Sequence, residues 1–241
     1  MHFESGEVEV STPNGEKAYE YRFMRPGEHA GEGPHPLVVF LHGSGERGSD
    51  NDKHLTYLPR WMTRDEHRRE HACYFLAVQC PLGEAWTRFT NEEEWELVPG
   101  EPTNAMKAVL RAIDEIIARE NVDETRIYLT GLSMGGYGAW CLAAHQPGRF
   151  AAVVPVCGGG DVASAERLKD VPIWVFHGLD DKAVPEQRSR EMVDAIRDSG
   201  GLVRYSALEG VQHDSWTHAY NHAGAIDWMF EQRRPPEPAG E

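Results

Sequence analysis

The stretch Arg126-Ile127-Tyr128-Leu129-Thr130-Gly131-Leu132-Ser133-Met134-Gly135-Gly136 decides how the rest of the chain is read. A short apolar run of strand length leads into Gly-x-Ser-x-Gly, and the helix-compatible segment Tyr137 to His145 follows. Strand, glycine-flanked serine and helix are the context in which this pattern forms a nucleophile elbow. A serine on so tight a turn is held in a strained conformation with its hydroxyl thrust out of the sheet. Side chains at the neighbouring positions collide there, so glycines occupy them. The new helix points free N–H groups at the site, where they favour developing negative charge. The bland alternative is a glycine-rich turn that contains a serine, and the other segments of the chain decide between the two.

Working outward, 241 residues suffice for one large core, and a single α/β domain over residues 1–232 is expected. The Pro-rich segment Arg233 to Glu241 is expected to fray. A formal charge of -15 argues against nucleic acid or an anionic membrane as partner, since both demand clustered Lys and Arg. Cys73, Cys80, Cys141 and Cys157 lack metal-type spacing. All but Cys80 lie in or beside apolar stretches, so buried free thiols are expected. The N-terminus carries no basic-then-apolar signal and no run has membrane-spanning length. A cytoplasmic location is expected, or a secreted one where an export signal has been removed. Nothing in the sequence bears on oligomeric state.

Residues 7–24 alternate enough to form two antiparallel edge strands turning at Pro13-Asn14-Gly15. Leu37 to Leu41 is a continuous apolar run, as suits a strand covered on both faces. Tyr74 to Val78, Ala151 to Val156, Ile173 to Phe176 and Val203 to Leu208 read as further strands. Helices are expected around Leu55 to Met62, over Asn104 to Arg119, Glu186 to Ser199 and Ile226 to Gln232. The alternation indicates a doubly wound, mostly parallel sheet flanked by helices. Ligands bind such sheets beyond the carboxyl ends of the strands. That rim receives Ser133, the loop His42-Gly43-Ser44-Gly45 and the segment His177-Gly178-Leu179-Asp180-Asp181.

A serine hydroxyl needs an adjacent base, and the base needs an orienting carboxylate. Asp181 is the expected acid. Its neighbour Asp180 and Asp161, after the preceding strand, are the competitors. His213 lies in a loop just beyond the last strand and is the expected base. The oxyanion hole is assigned to backbone N–H groups of Met134 and Ser44. His42 and His177 are expected to brace loops. His218 and His222 share a metal-compatible i, i+4 spacing, but no third ligand is apparent and no metal is assigned. Residues 81–101 form a long excursion holding Trp86, Phe89 and Trp95. Trp86 and Phe89 are expected to wall a substrate crevice, with Tyr137 a further candidate, whereas Trp216 is expected to pack beside His213. The short connection between Val156 and Ile173 leaves no room for a large lid.

These motifs resemble the α/β-hydrolase superfamily, in particular dienelactone-hydrolase-like and prolyl-oligopeptidase-like esterases and peptidases. The resemblance rests on Leu41-His42-Gly43-Ser44-Gly45-Glu46-Arg47-Gly48, Gln79-Cys80-Pro81, the elbow segment, His177-Gly178-Leu179-Asp180-Asp181-Lys182-Ala183-Val184-Pro185 and His213-Asp214-Ser215-Trp216. It covers residues 35–230 or thereabouts. It implies an α/β-hydrolase fold with antiparallel N-terminal edge strands. It also implies a cofactor-free serine carboxylesterase in which Ser133, Asp181 and His213 form the triad. Short-chain, aryl or sugar esters are the implied small-molecule or carbohydrate substrates. Feruloyl or acetylxylan esterase is the narrower possibility, and serine peptidase and non-catalytic binding module are the alternatives. Serine rather than cysteine at position 133 departs from dienelactone hydrolases proper. No propeller or gating domain precedes the catalytic part in this sequence, which points away from a peptidase.

Overall fold

The computed structural model describes residues 2–91 and 96–235. Strands β1 (Phe3–Thr12) and β2 (Gly15–Met24) form the expected hairpin, followed by β3 (His35–Leu41). Helices α1 (Leu58–Met62) and α2 (Asp65–Glu70) lead to β4 (Tyr74–Val78). The excursion holds a separate two-stranded sheet of β5 (Arg88–Asn91) and β6 (Glu96–Val98), and Trp95 lies outside the described residues. Helix α3 (Asn104–Arg119) precedes the elbow pair β7 (Val122–Leu132) and α4 (Met134–His145). Then come β8 (Ala152–Val156), α5 (Ala165–Leu168), β9 (Ile173–Gly178), α6 (Gln187–Asp198), β10 (Val203–Leu208), α7 (Trp216–Asn221) and α8 (Ala225–Glu231).

The main sheet runs β1-β2-β4-β3-β7-β8-β9-β10, antiparallel as far as the β2–β4 pair and parallel from β4 to β10. This is the α/β-hydrolase architecture. Leu37, Val39 and Leu41 of β3 face one core layer, with α3, α4 and α6. Val38 and Phe40 face the other, with α1, α7 and α8. That two-sided burial is why Leu37 to Leu41 of β3 are apolar at every position rather than at alternate ones. Helix α3 buries Ala105, Ala108, Val109, Ala112, Ile113 and Ile116, and the Thr103 side chain caps it by accepting from Met106 N.

Three short helices escape the sequence reading. Helices α2, α5 and α7 each span six residues or fewer. So short a helix hardly repays its nucleation and is fixed by what it packs on. The tail begins docked: Arg234 N–H donates to Thr125 O at 2.9 Å, and Arg233 lies 3.4 Å from Asp123. Residues 236–241 lie outside the described residues. All four cysteines are free, and Cys80, expected outside the apolar stretches, is as buried as Cys73 and Cys157. Residues 157–172 make up the whole connection from β8 to β9, with no lid inserted. Among the described residues no helix is long and apolar enough to cross a membrane.

Candidate active site

Between β7 and α4, Ser133 adopts φ 54° and ψ −120° and is 4% exposed. The glycines around it are demanded by contact with backbone. A Cβ on Gly131 would lie 2.3 Å from Gly135 O, and one on Gly135 would lie 1.9 Å from Leu41 O. One on Gly136 would meet Val156 O at 2.4 Å. The turn is therefore wedged between the ends of β3 and β8, and only hydrogen fits in the gaps.

The carboxylate and imidazole arrive from two later loops. Asp181 Oδ1 accepts from the N–H groups of Ala183 and Val184 at 2.8 and 2.9 Å. Its Oδ2 lies 2.7 Å from His213 Nδ1 and 3.2 Å from His177 Nε2. His177 Nε2 is also 3.0 Å from Val184 O, and because both neighbours are acceptors, it carries a proton. Burial opposes ionisation of Asp181, but the bonds from His177, His213 and Val184 outweigh it and hold the carboxyl well below its usual range. The His213 loop is seated by Asp180 N–H donating to Val211 O at 3.0 Å. Gly178 permits that approach, since a Cβ there would lie 2.3 Å from both Val211 O and Gln212 O.

With Asp181 ionised, the His213 proton belongs on Nδ1. The lone pair of Nε2 then faces Ser133 Oγ at 2.9 Å. Burial pulls the His213 pKa down, but the Asp181 bond and the neighbouring Cys157 thiol raise it above the ordinary imidazole value. Asp180 is exposed and Asp161 caps a turn by accepting from Ala163 N, so neither competitor reaches the imidazole.

The loop after β3 leans on the serine: a Cβ on Gly43 would lie 3.6 Å from Ser133 Cβ. His42 braces it as expected. Its Nδ1–H donates to Gly43 O at 2.7 Å, and its Nε2 accepts from Cys80 N–H at 2.9 Å. Burial pushes the His42 pKa down to about 3, so the ring stays neutral. Ser44 follows Gly43 and opens a 3-10 turn, with Arg47 Nε donating to its carbonyl at 3.1 Å. Met134 is the first residue of α4, so its N–H belongs to the helical turn that lacks intrahelical partners.

Two of the expected wall residues are corrected. Trp86 is 0% exposed, and its indole N–H donates to His42 O at 2.9 Å, so it supports the His42 loop rather than facing a ligand. Tyr137 is buried in the first turn of α4, and the half-buried Phe89 meets it edge-on at 5.1 Å. The aromatic side chains beside the imidazole come instead from elsewhere. Trp216 sits edge-on to His213 with ring centres 5.3 Å apart, and Tyr57 lies 5.2 Å from Trp216. Tyr57 is 40% exposed and holds φ 64°, a strained conformation for a bulky residue. Burial and the carboxylates of Glu46 and Asp214 raise its hydroxyl pKa, which places this aromatic pair on an acidic rim. No residue-type signal announced Tyr57. Cys157 carried a faint one, its position directly after a parallel strand, and it too has positive φ, at 39°. His218 and His222 are exposed, with rings 6.0 Å apart, and no third ligand joins them among the described residues.

The dienelactone hydrolase family model matches residues 88–225, more than half of the chain. The chain belongs to the dienelactone hydrolase family. A solved thermostable esterase superposes with TM-score 0.85 at 39% identity, covering 97% of this chain and 64% of that one. A bifunctional acetylxylan esterase/xylanase of Neocallimastix patriciarum is 27% identical over 109 residues, 45% of this chain and 16% of its own length. A poly(3-hydroxyalkanoate) depolymerase C of Paucimonas lemoignei is 34% identical over 127 residues, 52% of this chain and 28% of its own length. The chain thus spans less than two thirds of each of these relatives.

Proposed function

We propose that this protein is a serine carboxylesterase acting on short-chain, aryl or sugar esters. The observation that carries the reading is the relay Asp181 Oδ2, His213 Nδ1, His213 Nε2, Ser133 Oγ, with steps of 2.7 and 2.9 Å. In the first half-reaction His213 Nε2 takes the Ser133 proton as Oγ attacks the ester carbonyl carbon. Asp181 holds the tautomer that leaves Nε2 free and stabilises the imidazolium. The N–H groups of Met134 and Ser44 receive the oxyanion. The alkoxide leaves with the proton from His213, and water, deprotonated by the same nitrogen, releases the acyl group. Each proton in this cycle is carried by a group of the chain itself.

The Tyr57–Trp216 pair favours a flat group beside the imidazole, an aryl ring or a sugar face, because aromatic faces stack on both. The relatives named for acetylxylan and polyester cleavage are consistent with an open crevice, as is the short β8–β9 connection. The test pairs wild type with Ser133→Ala. Wild type is expected to label with a fluorophosphonate and to hydrolyse p-nitrophenyl acetate, while the variant folds but does neither. A panel of butyrate, octanoate, feruloyl and acetylated-sugar esters, with a peptide anilide as control, reads the substrate class. A folded Ser133→Ala that retains wild-type turnover refutes the assignment.

A further inference from the structure

A cluster away from the triad has the chemistry of a metal site. Helix α2 and its C-cap carry His67, Glu70 and His71, spaced i, i+3, i+4 and therefore on one face. One donor atom from each lies within 4.8 Å of one from the others, and His67 Nδ1 is 4.0 Å from Glu70 Oε2. Both imidazoles turn Nε2 toward a carboxylate. His71 Nε2 donates to Asp227 Oδ1 of α8 at 2.8 Å, and His67 Nε2 lies 3.5 Å from Glu66 Oε1. A proton on Nε2 leaves Nδ1 as the lone-pair nitrogen. In both residues Nδ1 is buried and has no hydrogen-bond partner among the described residues.

Orphaned acceptors in a buried place are uncommon and call for an explanation. His71 is only 6% exposed, so water does not readily supply the missing partner. The arrangement of carboxylate, imidazole and open nitrogen is the one by which proteins orient a metal-binding histidine. The rings are already held: Trp61 stacks on His67 at 3.3 Å, and Phe230 meets His71 edge-on at 4.8 Å. Glu70 is exposed and free to close the remaining distance. Arg64, Arg68 and Arg69 lie nearby, opposed by Asp65, Glu66, Glu70 and Asp227.

We propose that His67, Glu70 and His71 bind a divalent transition-metal ion, with two imidazole nitrogens, one carboxylate oxygen and water as ligands. Two nitrogens and one oxygen suit Zn2+, Co2+ or Ni2+ and not the all-oxygen preference of Ca2+ or Mg2+. Because His71 is tied to Asp227, the ion clasps α2 to α8 and stabilises that side of the fold.

The test uses the full chain after chelator treatment, titrated with ZnCl2 by calorimetry and melted with and without the ion. Wild type is expected to bind one equivalent and melt at a higher temperature. Glu70→Gln and Asp227→Asn change exposed carboxylates and leave the fold intact, and each is expected to weaken binding by about 10- to 100-fold. His218→Gln is expected to bind as wild type does. With CoCl2, visible absorption without a thiolate charge-transfer band separates this site from the Cys157, Asp181 and His213 group, whose donor atoms also lie within 4.8 Å. Absence of saturable binding at micromolar free Zn2+, binding unchanged in both carboxylate variants, or a thiolate band with the first equivalent overturns the proposal.

Discussion

Replacing Asp181 by asparagine is the sharpest probe of the relay. Four donors converge on the carboxylate: the N–H groups of Ala183 and Val184 at one oxygen, and His213 and His177 at the other. An amide offers a single oxygen. If that oxygen serves the two backbone N–H groups, the NH2 faces His213 and forces Nδ1 to accept. The imidazole proton then moves to Nε2 and points at Ser133 Oγ, so the base is lost although every atom stays in place. The opposite amide orientation sets NH2 against two backbone donors and is worse. A wrong tautomer of this kind lowers kcat by about 10,000-fold, or about 5.4 kcal/mol of barrier. The assay is kcat/KM on p-nitrophenyl acetate across pH, beside Asp180→Asn and Asp161→Asn as controls. In the proposed mechanism His213 acts deprotonated, so kcat/KM is expected to rise with pH. Its midpoint lies above the ordinary value of 6.5, because Asp181 stabilises the imidazolium. In Asp181→Asn the residual limb moves to lower pH. An Asp181→Asn variant retaining more than about a tenth of wild-type kcat/KM, or a larger loss in either control, refutes the reasoning.

Three further outcomes are expected. Trp86→Phe removes the donor to buried His42 O and destabilises by about 1–3 kcal/mol in urea unfolding, with a fall in kcat as the Gly43–Ser44 loop loosens. Gly135→Ala drives a methyl into Leu41 O and yields little folded protein, whereas Gly45→Ala, with nothing within 4 Å, expresses and melts as wild type; circular dichroism distinguishes them. Tyr57→Ala keeps the Cβ, and with it the strained backbone at φ 64°, while removing the ring from the aromatic wall. Its KM is expected to rise for feruloyl or p-nitrophenyl esters and to stay level for ethyl acetate, as steady-state kinetics reads.

The parallel strands and α3 were legible because continuous apolar runs and a 3.6-residue period report burial directly. Asn104–Arg119 and Tyr74–Val78 come out with the expected ends. Helix α2 was not, since five charged residues and a histidine read equally well as a turn, and His67 and the C-cap His71 gained meaning only beside Asp227, far along the chain. Trp86 was misplaced for a different reason. An aromatic residue in a loop has the same one-letter identity whether it turns into the core or toward a ligand.

By itself the sequence determined the order of the candidate groups: a serine set among glycines, then an aspartate, then a histidine, each just past a run that must be a strand. That much is local, because backbone sterics around glycine and the alternation of strand and helix are written in neighbouring residues. Only the tertiary structure decided that Asp181 and not Asp180 faces the imidazole, that Trp86 supports the His42 loop, and that Tyr57 reaches the rim through Trp216. Those outcomes depend on contacts between segments far apart in the chain, where packing geometry and hydrogen-bond direction, not residue type, select the partner.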